Sequence, residues 1–151
     1  MEAGSSPAAS VRNPSAIVSH GLVAQTSCEG MARQPTSAST VTNIMLLGQA
    51  VTQTTAIYGL LVAFILLFKG FAPSESLGAA MALMGAGVCM GLGAIGPGIG
   101  EGATARSAVR WIARNQEATP ELTRIMLVGQ AVSESTGIYS LVVALVLIFV
   151  I

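Results

Sequence analysis

The sequence predicts an all-α membrane protein of tandem transmembrane helical hairpins that assemble into an oligomeric ring, and three observations predict it. Apolar residues make up 52% of the 151 positions and charged residues 9%. A soluble domain usually carries roughly 25% charged residues, so lipid is the natural solvent here. Residues 44–68, 77 to about 103 and 125–151 each reach the roughly 20 apolar residues needed to cross about 30 Å of hydrocarbon. The chain also repeats itself: IMLLGQAVTQTTAIYGLLVAFILLF from Ile44 matches IMLVGQAVSESTGIYSLVVALVLIF from Ile125 at 15 of 25 positions, at an offset of 81. Self-similarity of this length marks a duplicated supersecondary unit, here a helical hairpin.

Residues 1–31 form a polar N-terminal segment that carries the remnant of a first helix. MEAGSSPAASVRNPSA has an acidic residue near its start and no continuous apolar core, so it does not read as a signal peptide. Residues 17–32 are expected to lie at the interface or to be partly inserted. An incomplete first copy and a start codon placed too far downstream give the same picture. Residues 32–70 supply the second helix of the first hairpin, and residues 71–151 a complete second hairpin. The helical pattern that starts near Leu77 runs past its apolar part through TARSAVRWIARN, as a long helix emerging from the membrane does.

Each copy has an Arg-bearing polar loop, ARQPTSAS in the first and ARNQEATPEL in the second. Arg106, Arg110, Arg114 and Arg124 flank the second loop, which the positive-inside rule places in the cytoplasm. Lys69, Glu75 and the C-terminus then belong on the outer side. Seven basic and seven acidic residues cancel, so long-range attraction to nucleic acid or an acidic substrate is excluded. Cys28 and Cys89 stand apart from any CxxC or Cys/His cluster, which argues against redox or zinc chemistry.

GLGAIG, from Gly91 to Gly96, fits the dinucleotide-binding pattern G-x-G-x-x-G, but that pattern needs a preceding strand in a βαβ unit. Here the glycines sit inside an apolar helix. Gly85, Gly87, Gly91 and Gly93 instead strip bulk from one helix, which lets helices approach closely in lipid. So dense a series suggests many copies of this helix packed side by side. Pro97 removes a helix hydrogen bond four residues before Glu101 and is expected to bend the helix there.

Glu134 lies about thirteen residues into the last helix, roughly 20 Å deep at 1.5 Å per residue. Carboxylates at such depth are costly and mark ion paths. Glu101 is about as far upstream of the 115–119 loop as Glu134 is downstream, so a hairpin brings both to one depth. Two such groups cannot both ionise cheaply in a low dielectric; one stays protonated, or a cation sits between them. Ser135, Thr136 and Tyr139 add hydroxyls nearby, in keeping with a hard cation's need for several oxygens.

GPGIGEG, the ARQP loop and GQAVSESTGIY resemble the c-subunit proteolipid of F-type rotary ATPases, specifically its sodium-binding variety. The resemblance covers nearly the whole chain from about residue 17. It implies a non-catalytic rotor subunit, multi-pass in a bacterial inner membrane, that translocates Na+ or H+ coupled to ATP synthesis or hydrolysis and has no other cofactor. Its implied partners are further copies in a ring, a stator a-type subunit, the central stalk and membrane lipid. By resemblance the ion-carrying carboxylate is Glu134, with Glu101 as the inner-helix ligand, Val132 a carbonyl ligand, Ser135 a hydroxyl ligand, Thr136 a water-holding residue and Tyr139 a donor to the carboxylate. The loop of Arg114, Asn115 and Gln116 would face the stalk. Many sodium-binding members carry Gln where this chain has Glu101, so Na+ against H+ stays open.

The first copy departs from that pattern. Gln53 stands where Glu134 stands in the repeat, and His20 where Glu101 stands. Gln cannot neutralise a cation, so the first copy is expected to be silent, as in V-type proteolipids. One ion per two hairpins lowers the ion-to-ATP ratio and favours pumping. Two competing readings remain: a structural oligomer that binds no ion, and a degenerate copy that accompanies full-length proteolipids.

Overall fold

The computed structural model describes residues 16–68 and 77–150, with side chains from Ser19 onward. The polar segment before residue 16, and the expected outer positions of Lys69 and Glu75, lie outside the described residues. Every regular element among those described is helical. Helix α1 spans Ala16–Arg33, α2 Ala38–Phe68, α3 Leu77–Gly93, α4 Ile95–Arg114 and α5 Thr119–Phe149. Three helical stretches, Pro35–Phe68, Leu77–Arg114 and Gln116–Phe149, are long and apolar enough to cross a membrane, and the protein is a multi-pass integral membrane protein.

Helices α3 and α4 form one span with a break at Ala94. Pro97 has no N–H to give to the carbonyl of Gly93, whereas the flanking bonds survive: Ala94 donates to Met90 at 3.0 Å and Gly98 to Ala94 at 3.2 Å. One missing bond, to the carbonyl four residues before the proline, is enough to interrupt the helix at Ala94.

The two hairpins stand side by side in the same orientation. Helix α1 lies parallel to α4, with Ser19 against Gly102, Gly30 against Ala113 and Arg106 Nε donating to Thr26 Oγ1 at 3.1 Å. Helix α2 likewise runs along α5, with Gly48 opposite Gln130 and Thr55 opposite Gly137. The stretch read as a remnant is thus a formed helix of 18 residues, and it packs against the part of α4 that follows Pro97. Small residues make this approach feasible. A Cβ at Gly48 would lie 2.8 Å from that of Ala105, and one at Gly30 2.7 Å from that of Ala113.

The two loops fold alike because their sequences are repeats. Gln34 and Asn115 are both near-extended, with φ of −136° and −141°, and each precedes a single 3-10 turn, Pro35–Ser37 and Gln116–Ala118. Ser37 Oγ donates to Gln34 O at 2.7 Å in the first loop, and Asn115 Oδ1 accepts from Glu117 N at 3.2 Å in the second. Arg114 stacks over Trp111, 5.2 Å from the ring centroid.

Two apolar clusters hold the chain together. Near the loops, Val23, Val41, Ile44, Ala105, Val109, Ile112 and Met126 pack into one; at the other end Val62, Ala86, Met90, Ala144 and Ile148 form the second. Outside them a belt that includes Leu60, Phe64, Leu67, Met81, Met84 and Val88 is exposed. Such a belt would aggregate in water and is normal against lipid chains.

Of the four glycines singled out on α3, Gly93 is the one pressed hardest. A Cβ there would collide with the Ser140 side chain. Gly85 and Gly87 leave room for ordinary contacts at 3.8 and 3.6 Å with Leu147 and Leu66, and Gly91 has no neighbour within 4 Å. Cys28 and Cys89 are free thiols, Cys89 resting 3.8 Å from the Ser140 carbonyl.

Candidate functional site

Glu134 is the sixteenth residue of the 31-residue α5, about 22 Å from its start at 1.5 Å per residue. Its Oε1 accepts two hydrogen bonds of 2.6 Å, from Thr54 Oγ1 and from Tyr58 OH. Both donors belong to α2. The carboxylate of the second hairpin is therefore held by the outer helix of the first, one turn of α2 supplying both hydroxyls at the i and i+4 spacing that shares a helix face.

Glu101 sits beside it. Its side chain is fully buried on α4, and Thr55 Oγ1 donates to its Oε1 at 3.1 Å. Because Thr54 and Thr55 are adjacent, the two carboxyls converge on a single turn of α2. Behind them Gln130 is also fully buried. Its Nε2 donates to Gly48 O at 2.9 Å, with Thr52 Oγ1 at 3.3 Å and Glu101 O at 3.4 Å. This amide ties α2, α4 and α5 together under the site.

Two oxygens in this cluster, Glu101 Oε2 and Gln130 Oε1, are buried with no hydrogen-bond partner. A buried lone pair without a donor is expensive, and a proton on the carboxyl or a bound cation removes that cost. Thr54 adds a further feature. Its hydroxyl has two acceptors in reach, Glu134 Oε1 and the Val51 carbonyl at 2.7 Å, but only one proton to donate. An ionised Glu134 accepts that hydrogen bond. A protonated Glu134 can instead donate to Thr54 while Thr54 donates to Val51.

The residues picked out by sequence divide into two groups. Glu134 and Glu101 come together. Ser135, Thr136, Val132 and Tyr139 do not join them within the chain. Ser135 Oγ donates to its own helix at Ala131 O, 3.1 Å away, and Thr136 Oγ1 to Ser133 O at 2.9 Å. Val132 and Tyr139 are 69% and 66% exposed. The reason is helix geometry: a residue next to Glu134 in sequence points about 100° away around an α-helix at 3.6 residues per turn. Tyr58 and Thr54 are the repeat mates of Tyr139 and Ser135, so the repeat alignment held the signal needed to find them. Thr55, the repeat mate of Thr136, carried the same mark; Gln130 carried none. Gln53 is exposed and His20 half-buried, and Gln49 Nε2 donates to the His20 carbonyl at 3.1 Å.

No group of three or more His, Cys, Asp or Glu side chains suited to a metal ion occurs among the described residues. What the site offers an ion is oxygen: two carboxyls, hydroxyls and a backbone carbonyl, the donor set hard cations prefer. Arg114, Asn115 and Gln116 sit together at the end of the second hairpin, with Arg114 and Gln116 exposed.

A family model for the ATP synthase c subunit matches residues 15–66 and 84–147. The ATP synthase c subunit of Petrotoga mobilis is 59% identical over 68 residues, which are 45% of this chain and 71% of that protein. The ATP synthase c subunit of Thermotoga petrophila is 50% identical over 68 residues, 45% of this chain and 80% of its own length. That of Alkaliphilus oremlandii is 47% identical over 81 residues, 54% of this chain and 90% of its own.

Proposed function

Since this chain belongs to the ATP synthase c-subunit family, we propose that it is a non-catalytic rotor subunit whose Glu134 carries one cation across the membrane per passage, with Na+ as the cargo. One observation supports this above the rest: a carboxylate at mid-helix depth, held by two hydroxyls from the neighbouring hairpin, beside a second, fully buried carboxyl. A carboxylate so placed can be neutralised by an ion, move through lipid at low cost, and give the ion up when the hydroxyls swing away. Each 100 mV of potential contributes about 2.3 kcal/mol per charge moved, so several such sites must act for each ATP.

Sodium is favoured by the number of oxygens around Glu134 and by the unpartnered Glu101 Oε2 and Gln130 Oε1. A proton is the second reading, and the two acceptors of Thr54 favour it. The first hairpin has Gln53 at the equivalent position and carries no ion, so each chain contributes one ion for two hairpins and the ring works best as a pump. Arg114, Asn115 and Gln116 face the central stalk, a stator a-type subunit supplies the access paths, and the membrane is the bacterial inner membrane.

The test is ATP-driven uptake of radioactive sodium into proteoliposomes that contain the whole complex, with a proton-sensitive dye in parallel. Sodium uptake that an uncoupler of proton gradients does not reduce is the expected result. Dye quenching without sodium uptake would assign the proton. Transport that survives Glu134→Gln would overturn the assignment of Glu134.

A further inference from the structure

The two hairpins differ most at the end away from their loops. In the second, α3 and α4 together run the length of α5. In the first, helix α1 is described from Ala16, the repeat mate of Pro97, so it lines the stretch that α4 lines and stops where a counterpart of α3 would start. The consequence shows on α2. On α5, Ala144 and Ile148 are fully buried in one cluster with Ala86 and Met90 of α3, and Gly93 presses on Ser140. The mates of Ala144, Ile148 and Ser140 on α2 are Ala63, Leu67 and Gly59. Ala63 is exposed, Leu67 is 73% exposed, and a Cβ at Gly59 would meet nothing within 4 Å.

The flank of α3 on the same side is bare as well. Helix α4 meets α1 at Gly102, with Ser19 opposite. Counting back from Gly102 at the three- and four-residue steps of one helix face gives Gly98, Ile95, Gly91, Val88 and Met84. Gly98 is buried, whereas the other four are exposed, and a Cβ at Gly91 would meet nothing within 4 Å. A slot therefore opens beyond the start of α1, between this flank and the bare face of α2. Its width is that of the helix below it, about 10 Å, and α3 gives it a length of about 25 Å at 1.5 Å per residue. The residues named on its two walls carry no polar side-chain atom.

We infer that this slot is a lipid-binding site, which holds the acyl chains of one phospholipid from the leaflet away from the Arg-bearing loops. This goes beyond the ion site and rests on the ring reading, in which a neighbouring copy closes the open side. Three observations favour an acyl chain. Residues 1–15 stand at the repeat offset on residues 82–96, but they contain Glu2, Arg12, Asn13, four serines and two prolines. Burying such groups among apolar walls without partners is costly, and each proline removes a backbone donor. A spanning helix from another protein needs about 20 residues across about 30 Å, whereas the contact of Ser19 with Gly102 closes the slot part-way through the bilayer. An acyl chain enters from one leaflet, ends in hydrocarbon and needs no hydrogen bond. Collapse of the walls is opposed by α1 itself, which keeps α4 and its surroundings one helix apart through Ser19 on Gly102 and Gly30 on Ala113.

Native mass spectrometry of the oligomer tests this, after extraction from membranes in a mild detergent and a wash in a delipidating one. A slot one helix wide should keep about one phospholipid per chain through the wash. Gly59→Leu combined with Ala63→Leu fills the slot from α2, and the chain should then shed that lipid while the oligomer keeps its mass and Glu134 its reactivity toward carbodiimide. Gly91→Leu fills it from α3 and gives the same readout if the first variant fails to assemble. An intact oligomer that keeps no lipid, or equal retention in a filled variant that assembles, would overturn the inference and leave the ring standing. Single chains under both detergents would overturn the ring and the inference with it. A benzophenone on Ala63→Cys, in a background of Cys28→Ser and Cys89→Ser, identifies the occupant: phospholipid adducts are expected, and capture of residues 1–15 or of another protein would give the slot to that occupant instead.

Discussion

Replacing Tyr58 with Phe removes one hydrogen bond from Glu134 and very little else, which makes it the sharpest probe of how the carboxylate is held. The phenol lies 2.6 Å from Glu134 Oε1, and a hydrogen bond to a charged group contributes about 1.5–3 kcal/mol. At about 1.4 kcal/mol per tenfold, the balance between the held and the free carboxylate shifts by roughly tenfold to a hundredfold toward the free side chain. A carbodiimide reacts with the free group, so the rate of labelling at Glu134 should rise by that factor in purified, membrane-embedded protein. Thr54 still holds the carboxylate at 2.6 Å, so the site should remain closed most of the time. Tyr139→Phe is the control: its ring is 66% exposed and touches neither carboxyl within the chain, and the rate at Glu134 should stay within about twofold if additivity between separated sites holds. Equal acceleration by both variants, or by Tyr139→Phe alone, would refute the assignment of Tyr58 as the donor.

Further outcomes follow from the packing and the site. Gly48→Val places a side chain whose Cβ lies 2.8 Å from that of Ala105; overpacking costs about 1–3 kcal/mol, and thermal unfolding in detergent by circular dichroism should fall by several degrees, whereas Gly59→Ala, with open space around it, should leave it unchanged. Pro97→Ala restores an N–H for the Gly93 carbonyl, and amide exchange around Ala94 should slow at unchanged helix content; exchange as fast as in the wild type would mean that the break has another cause. Glu101→Gln keeps the shape of a fully buried side chain but removes a charge from the pair. If Na+ is the cargo, sodium protection of Glu134 against carbodiimide should then require at least about tenfold more sodium, since a hydrogen-bonded charge contributes on the order of 1.5 kcal/mol or more.

Much of the fold is legible in the sequence because lipid imposes simple rules. Long apolar runs with at most one charged residue each mark the three long spans, and the repeat fixes the like orientation of the two hairpins. The loop fold is legible too, since Gln34 and Asn115 are repeat mates with nearly the same backbone angles. Helix α1 is harder to read. It is polar and short, and it forms because its small residues, Ser19 and Gly30, fit against Gly102 and Ala113 of α4, a contact no hydropathy pattern reveals. Glu134 and Glu101 stand out through the cost of burying charge, which needs only sequence and depth. Their partners do not. Proximity along the chain points to Ser135 and Tyr139, whereas helix rotation turns those outward and brings Thr54 and Tyr58 in from the neighbouring hairpin. Gln130 escapes notice for a related reason: an amide in an apolar helix becomes informative only when its acceptors, Gly48 O above all, are known.

The central claim is that each chain carries one ion site, at Glu134. Carbodiimide labelling of the membrane-embedded protein from pH 6 to 9, with and without sodium, measures this directly when the adducts are counted by intact mass and located by fragmentation. One adduct per chain, at Glu134 and suppressed by sodium, is the predicted result. Labelling governed by pH alone would keep the site and change its cargo to a proton; two adducts per chain, or none at Glu134, would contradict the account.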